Sequence, residues 1–320
     1  MNNIFFQEEL IARLQDKLKR ELGPEIMDAL YSNDIIEIML NPDGKVWYDY
    51  LEQGMIDSGI VISKHQAENL LGTIAAMKGT VINYNSPILE TTLPFDGSRF
   101  TGIISPISVS PSFTIRKRPK IVFTLTNYIE NGIITSSQAQ SIKEAIKQKE
   151  NILVVGGTGS GKTTLVNTLL YEMSIITPQD RIIIIEDTVE LKCSSLNSLE
   201  LRTIEDIDIT KVLRTTLRLR PCRIIIGEIR GSEANSLIKA WNTGHPGGIS
   251  TIHANSAYSG LIRLEQLIKE AGIKPIPEII AETIKMVIFI ERINMFPWRK
   301  VREIVKVKAY KHNQYRLEII

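Results

Sequence analysis

Residues 156–164 read Gly-Gly-Thr-Gly-Ser-Gly-Lys-Thr-Thr. They follow an unbroken apolar run, Ile152–Val155, and open a segment with helical character that reaches about Met173. Gly156-x-x-x-x-Gly161-Lys162-Thr163 is the Walker A spacing, and a preceding strand and a following helix are the setting its chemistry requires. Glycines let backbone N–H groups turn inward and approach phosphate oxygens with no Cβ in the way. The helix N-terminus adds partial positive charge. Gly156, Gly157, Thr158, Gly159, Ser160, Gly161, Lys162, Thr163 and Thr164 are therefore the candidate phosphate cradle. Lys162 is expected to reach the β- and γ-phosphates, and the Thr163 hydroxyl to ligate Mg²⁺. The cofactors read from this loop are ATP, or another nucleoside triphosphate, and Mg²⁺, with hydrolysis as the reaction.

The chain beyond residue 137 has the composition of one fold around that loop. After a helix at 137–149, short apolar runs recur at Ile152–Val155, Ile182–Ile185, Ile224–Ile226, Ile249–Ile252 and Met286–Ile290, with helical segments between them. Continuous rather than alternating runs mark strands buried on both faces, as in a mainly parallel sheet covered by helices. In such a sheet chemistry collects beyond the carboxyl ends of the strands. Those ends carry Glu186-Asp187 with Glu190 shortly after, Glu228-Ile229-Arg230, and His253-Ala254-Asn255. Phosphoryl transfer needs carboxylates near the metal and the attacking water. Glu228 is the candidate for holding Mg²⁺ through water and polarising the nucleophile, Glu186 is the second candidate, and His253 is placed to sense the γ-phosphate. Without the loop upstream, each acid would read as a surface group at a strand end and the histidine as structural.

The first part of the chain is α+β. Phe6, Leu10, Leu14, Leu18 and Leu22 stripe a helix over 5–22 that Gly23-Pro24 ends. Ile35–Leu40 and Val46–Tyr50 read as a hairpin turned by Asn41-Pro-Asp-Gly44. A helix is expected over 63–78, and short strands over 81–116. The boundaries are an N-terminal domain at 1–120, a linker at 121–136 and an ATPase domain at 137–320. Net charge is +2, which gives no argument for a nucleic-acid partner. The two cysteines, Cys193 and Cys222, form no Cys-x-x-Cys pair, so zinc-ribbon and redox motifs are excluded. No apolar run approaches the roughly 20 residues of a membrane span, and the start lacks the pattern of a signal peptide. The expected location is cytoplasmic, with any membrane association peripheral.

Four boxes in order give the chain a family resemblance. They are 156–164, Arg181-Ile-Ile-Ile-Ile-Glu-Asp-Thr-Val-Glu-Leu191, Arg223-Ile-Ile-Ile-Gly-Glu-Ile-Arg230 and Gly244-His-Pro-Gly-Gly-Ile-Ser-Thr-Ile-His-Ala-Asn-Ser256. This set resembles the Walker A, Asp box, Walker B and His box of the type II/type IV secretion ATPases. Glu37-Ile-Met-Leu-Asn-Pro-Asp-Gly44, Leu93-Pro-Phe-Asp-Gly-Ser-Arg-Phe100 and Pro111-Ser-Phe-Thr-Ile-Arg-Lys117 look like the TrbB-type conjugal transfer branch. The resemblance implies a RecA-like P-loop domain behind a smaller α+β domain. It also implies a homohexameric ring at the inner membrane that works with other type IV secretion components. Arginines of the N-terminal domain then touch the terminal phosphate, at positions matching Arg99 and Arg116. The residues alone read Arg116-Lys117-Arg118 only as a basic run. One departure stands out: Cys222 follows Arg220-Pro221 where the superfamily usually has Asp.

Three functions compete. The first is an ATP-driven motor of a conjugative type IV secretion system. The second is a type II secretion or type IV pilus motor, and two cysteines cannot build the tetracysteine zinc insert of many type II members. The third is a nucleic-acid-stimulated, helicase-like ATPase, which the basic residues Arg299, Lys300, Arg302, Lys306 and Lys308 would serve. Val305 and Val307 alternate with those lysines as on a solvated strand face, so direct DNA binding is not expected.

Overall fold

The computed structural model describes residues 2–51, 53–118, 122–204 and 206–320, with side chains from residue 9 onward. The chain divides into two compact units, Met1–Lys120 and Ile121–Ile320.

In the first unit, α1 (Asn2–Tyr31) is interrupted at Gly23, whose φ of 77° leaves the helical region. The Gly-Pro stop therefore acts, but a further helical segment follows it to Tyr31. β1 (Ile35–Leu40) and β2 (Lys45–Tyr50) form the expected hairpin, with Leu40 opposite Val46. β3 (Gly54–Val61) extends the sheet on the far side of β2. It had no clear signal in the sequence, because its side chains are mostly exposed and carry little apolar alternation. α2 (Lys64–Lys78) starts in a capping box between Ser63 and Gln66 and ends at Gly79. β4 (Ile88–Thr92), β5 (Arg99–Ile103) and β6 (Ser112–Arg116) complete a six-stranded sheet in the order β3-β2-β1-β6-β5-β4. Every pairing is antiparallel. Leu18, Ile26, Ile38, Leu71, Phe100 and Ile115 form its core with the two helices.

In the second unit, α3 (Leu125–Glu130) lies within the stretch expected as an open linker. Thr124 caps it, and Leu125 and Tyr128 are buried. α4 (Ser136–Lys147), β7 (Asn151–Val155), α5 (Lys162–Ile176), β8 (Ile182–Glu186), β9 (Ser198–Arg202) and α6 (Ile209–Thr216) follow. Then come β10 (Arg223–Glu228), α7 (Glu233–Asn242), β11 (Ile249–Ile252), α8 (Ala257–Glu270), α9 (Pro277–Thr283), β12 (Ile284–Arg292), β13 (Arg299–Lys311) and β14 (Gln314–Ile319). The eight strands lie in the order β14-β13-β12-β7-β11-β10-β8-β9. From β12 to β9 every pairing is parallel. β13 and β14 are antiparallel, so the sheet is mixed at that edge.

Alternate residues of β7 explain the uniform apolar run. Ile152 and Val154 face a core with α4 and α5, including Ile142, Leu165 and Leu169. Leu153 and Val155 face the opposite core with α7 and α8, including Leu237 and Leu261. β11 separates β7 from β10, so the strand carrying the phosphate loop and the strand ending in Glu228 flank a third that ends at His253. Among the described residues, no helix is long and apolar enough to cross a membrane.

Candidate functional site

The loop from β7 into α5 is shaped by its glycines. Gly161, at the N-terminus of α5, has φ 96°. A Cβ on Gly156 would lie 2.3 Å from the Ile290 carbonyl oxygen and 2.4 Å from Ser160 Oγ. Ser160 is 2% exposed, and its hydroxyl oxygen has no hydrogen-bond partner among the described residues. A tight backbone cradle with a buried, unsatisfied hydroxyl fits a phosphate-bearing ligand.

Lys162 is held inward. Its Nζ donates to the carbonyls of Gly156 (2.9 Å) and Gly157 (2.8 Å). It also lies 3.3 Å from His253 Nδ1. Across the loop mouth, Thr163 Oγ1 donates to Glu190 Oε2 at 3.4 Å. The structure thus brings Glu190, rather than Glu186 or Glu228, to the hydroxyl expected to meet the metal. Among the described residues, no group of three or more His, Cys, Asp or Glu side chains could hold a metal ion. Mg²⁺ in phosphoryl-transfer sites is held by one or two protein oxygens together with substrate phosphates and water. Thr163 with Glu190 has that form.

Glu186, at the end of β8, is directed elsewhere. Its Oε1 accepts the N–H groups of Glu190 (3.0 Å) and Leu191 (3.0 Å). It props the turn that presents Glu190. Burial pushes its carboxyl up to about 7, against the opposing pull of those two N–H groups. The close approach of Gly227, where a Cβ would sit 3.0 Å from Glu186 Cγ, completes its enclosure.

Glu228 stands between two cations or potential cations. Arg230 donates to its Oε2 at 2.7 Å. His253 Nε2 lies 2.8 Å from Oε1, in contact but not aligned as a hydrogen bond. Arg230 also donates to Asp187 Oδ2 at 2.7 Å. Lys162, His253, Glu228, Arg230 and Asp187 therefore form one chain of contacts across the ends of β7, β11, β10 and β8. The sequence had pointed to four of those strand ends but not to Arg230 as a connector.

Arg299 opens the basic C-terminal stretch. Its Cδ would lie 2.8 Å from a Cβ on Gly161, so its stem packs on the phosphate loop. Three other residues of that stretch meet acids, Arg302 with Glu291, Lys306 with Glu150 (3.7 Å) and Lys308 with Glu318 (2.5 Å), while Lys300 donates to the Gly132 carbonyl.

Arg99 and Arg116 belong to the first unit. They sit directly opposite one another on β5 and β6, so their side chains share a face. Glu37 on β1 is the next residue in that row, with Arg116 Nε 3.7 Å from its carboxylate. Cys222 sits just before β10, where its N–H donates to the Arg181 carbonyl. It lies at the opposite end of that strand from Glu228. There the carboxylate beside Arg223 is Asp180, at 2.7 Å.

A mainly parallel sheet whose phosphate loop, carboxylates and histidine converge at the carboxyl ends of its strands defines the P-loop class of nucleotide-binding proteins. Residues 60–307 match the family described as type II/IV secretion system protein, and the chain belongs to that family. It is 42% identical over 306 residues to the probable conjugal transfer protein TrbB of Sinorhizobium fredii, covering 96% of this chain and 93% of that one. It is 41% identical over 306 residues to the conjugal transfer protein TrbB of Rhizobium radiobacter, covering 96% of this chain and 94% of that one. The ATPase DotB of Legionella pneumophila shares the fold, with a TM-score of 0.61 at 18% identity over 84% of this chain and 76% of that one.

Proposed function

We propose that this chain is an ATP-hydrolysing motor subunit of a conjugative type IV secretion system. The observation that carries the proposal is the phosphate loop with Thr163 beside Glu190 and Lys162 beside the Glu228–His253 pair. Full-length similarity to the TrbB proteins supports the conjugative branch over a pilus or type II motor.

In this reading Lys162 leaves its own loop carbonyls for the β- and γ-phosphates. The Thr163 hydroxyl and Glu190 would hold Mg²⁺, which would supply neutralisation of phosphate charge. Glu228 orients the attacking water and takes up its proton. His253, in contact with both Lys162 and Glu228, registers whether the terminal phosphate is present. Arg99 and Arg116 supply cations needed for turnover. The second unit is a RecA-like domain, a reading supported by the strand inserted between β7 and β10. The working form is a hexameric cytoplasmic ring, peripheral to the inner membrane and joined to other secretion components.

The test is Lys162→Ala. The expected outcome is loss of ATP turnover in the purified protein and loss of DNA transfer from cells whose only copy carries the substitution. Normal transfer by that variant would end the motor reading.

A further inference from the structure

We propose that Arg230 is the positioning residue of this site, fixing the Glu228 carboxylate so that one oxygen is tied and the other is left for the reaction. The proposal rests on the ATPase reading above. It starts from how firmly the arginine is itself held. Just past β10, the Ile229 N–H donates to the Thr251 carbonyl at 2.9 Å, which carries the β10–β11 pairing beyond Glu228. The next two N–H groups, of Arg230 (2.6 Å) and Gly231 (2.8 Å), both donate to Glu233 Oε1. Glu233 is a buried acid in the first turn of α7. The arginine backbone is therefore pinned before its side chain does anything.

The side chain then spans two strand ends. One guanidinium nitrogen donates to Glu228 Oε2 and the other to Asp187 Oδ2, each at 2.7 Å. Asp187 follows β8 and Glu228 ends β10, and these strands are direct neighbours. Two carboxylates at adjacent strand ends repel, and a planar fork with a separate nitrogen for each is the side chain that holds both. The consequence falls on Glu228 Oε1. It is buried, faces His253 and has no hydrogen-bond partner among the described residues. Its close neighbour is the half-exposed His253 imidazole, so its acceptor capacity is not taken up by an aligned hydrogen bond. The strap on Oε2 thus fixes the direction of Oε1, which is turned toward His253 at the end of β11.

A positioning role predicts a split between turnover and binding. Arg230→Ala is expected to lower kcat by about tenfold or more with KM changed less than about twofold, because only an interaction needed in the transition state is lost. Arg230→Lys keeps the charge but offers one nitrogen in place of two, and is expected not to restore kcat. Asp187→Asn removes one anchor of the strap and should fall between wild type and Arg230→Ala. Full kcat in Arg230→Lys would overturn the proposal, since charge alone would then suffice. So would a rise in KM matching the fall in kcat, which would place Arg230 on the nucleotide itself. Wild-type protein with no ATP turnover would defeat the ATPase reading instead.

Discussion

Glu186 and Glu190 show how four residues of separation can exchange two roles. The first acid is enclosed, and both its nearest donors are backbone N–H groups of the turn it supports. The second faces the Thr163 hydroxyl. Glu190→Gln is therefore expected to cut turnover roughly 100-fold and to raise the Mg²⁺ concentration for half-maximal activity, both readable in steady-state assays. Glu186→Gln should act mainly on stability. Its carboxyl titrates at about 7 in the folded protein, against 4.5 as the ordinary value, with burial as the leading cause. The folded state thus keeps a proton that the unfolded chain gives up. Stability from this group is fully present below the unfolded value and is lost as pH rises through the folded one. Glutamine keeps an acceptor oxygen and carries no charge. Glu186→Gln should therefore melt above wild type at about pH 8, with the gap closing towards about pH 5. A gap that widened on acidification would contradict the assigned cause. Glu190 was legible as part of the Glu-Asp-Thr-Val-Glu run, but spacing alone does not tell which acid turns inward.

At the scale of elements, β10 carries a different device at each end. At its carboxyl end lies the Glu228–Arg230 strap. At its start, Arg223 is fully buried and donates to Asp180 (2.7 Å), the Gly247 carbonyl (3.1 Å) and the Ile146 carbonyl (2.8 Å). At the amino end of β10 it ties together the end of α4, the turn after α5 and the loop before β11. Burial raises the Asp180 carboxyl, but Lys149 and Arg223 hold it below the usual carboxylate range. Arg223→Ala leaves that acid without its buried cation, and is expected to cost roughly 3–5 kcal/mol in denaturant unfolding while leaving the nucleotide-site residues intact. The periodicity of the sequence located the core strands because burial on both faces imposes unbroken apolar runs. It gave no sign of β9, an edge strand whose side chains are half-exposed or exposed. The same cause hid β3.

For the whole molecule, the basic C-terminal stretch bears on whether DNA would stimulate ATP turnover, as the helicase-like alternative requires. Arg302, Lys306 and Lys308 each meet an acid of the same unit, and the stem of Arg299 lies on the phosphate loop. Cations already paired release few counterions on meeting a phosphate backbone. Single- or double-stranded DNA should therefore change ATP turnover by less than about twofold, and strong salt-sensitive stimulation would favour the helicase-like alternative. Sequence by itself determined the phosphate loop, the buried core strands around it, the family resemblance, and which strand ends carry acids and a histidine. Those follow from local rules: glycine spacing, apolar runs and the requirement that polar chemistry sit where buried strands end. Only the tertiary structure decided that Glu186 supports while Glu190 faces Thr163, that Arg230 connects β8 to β10, and that Arg299 reaches Gly161. Each depends on which strands lie side by side and which way a side chain turns at their ends. Asp187 and Arg230, 43 positions apart, and Gly161 and Arg299, 138 positions apart, come together only once the sheet is assembled.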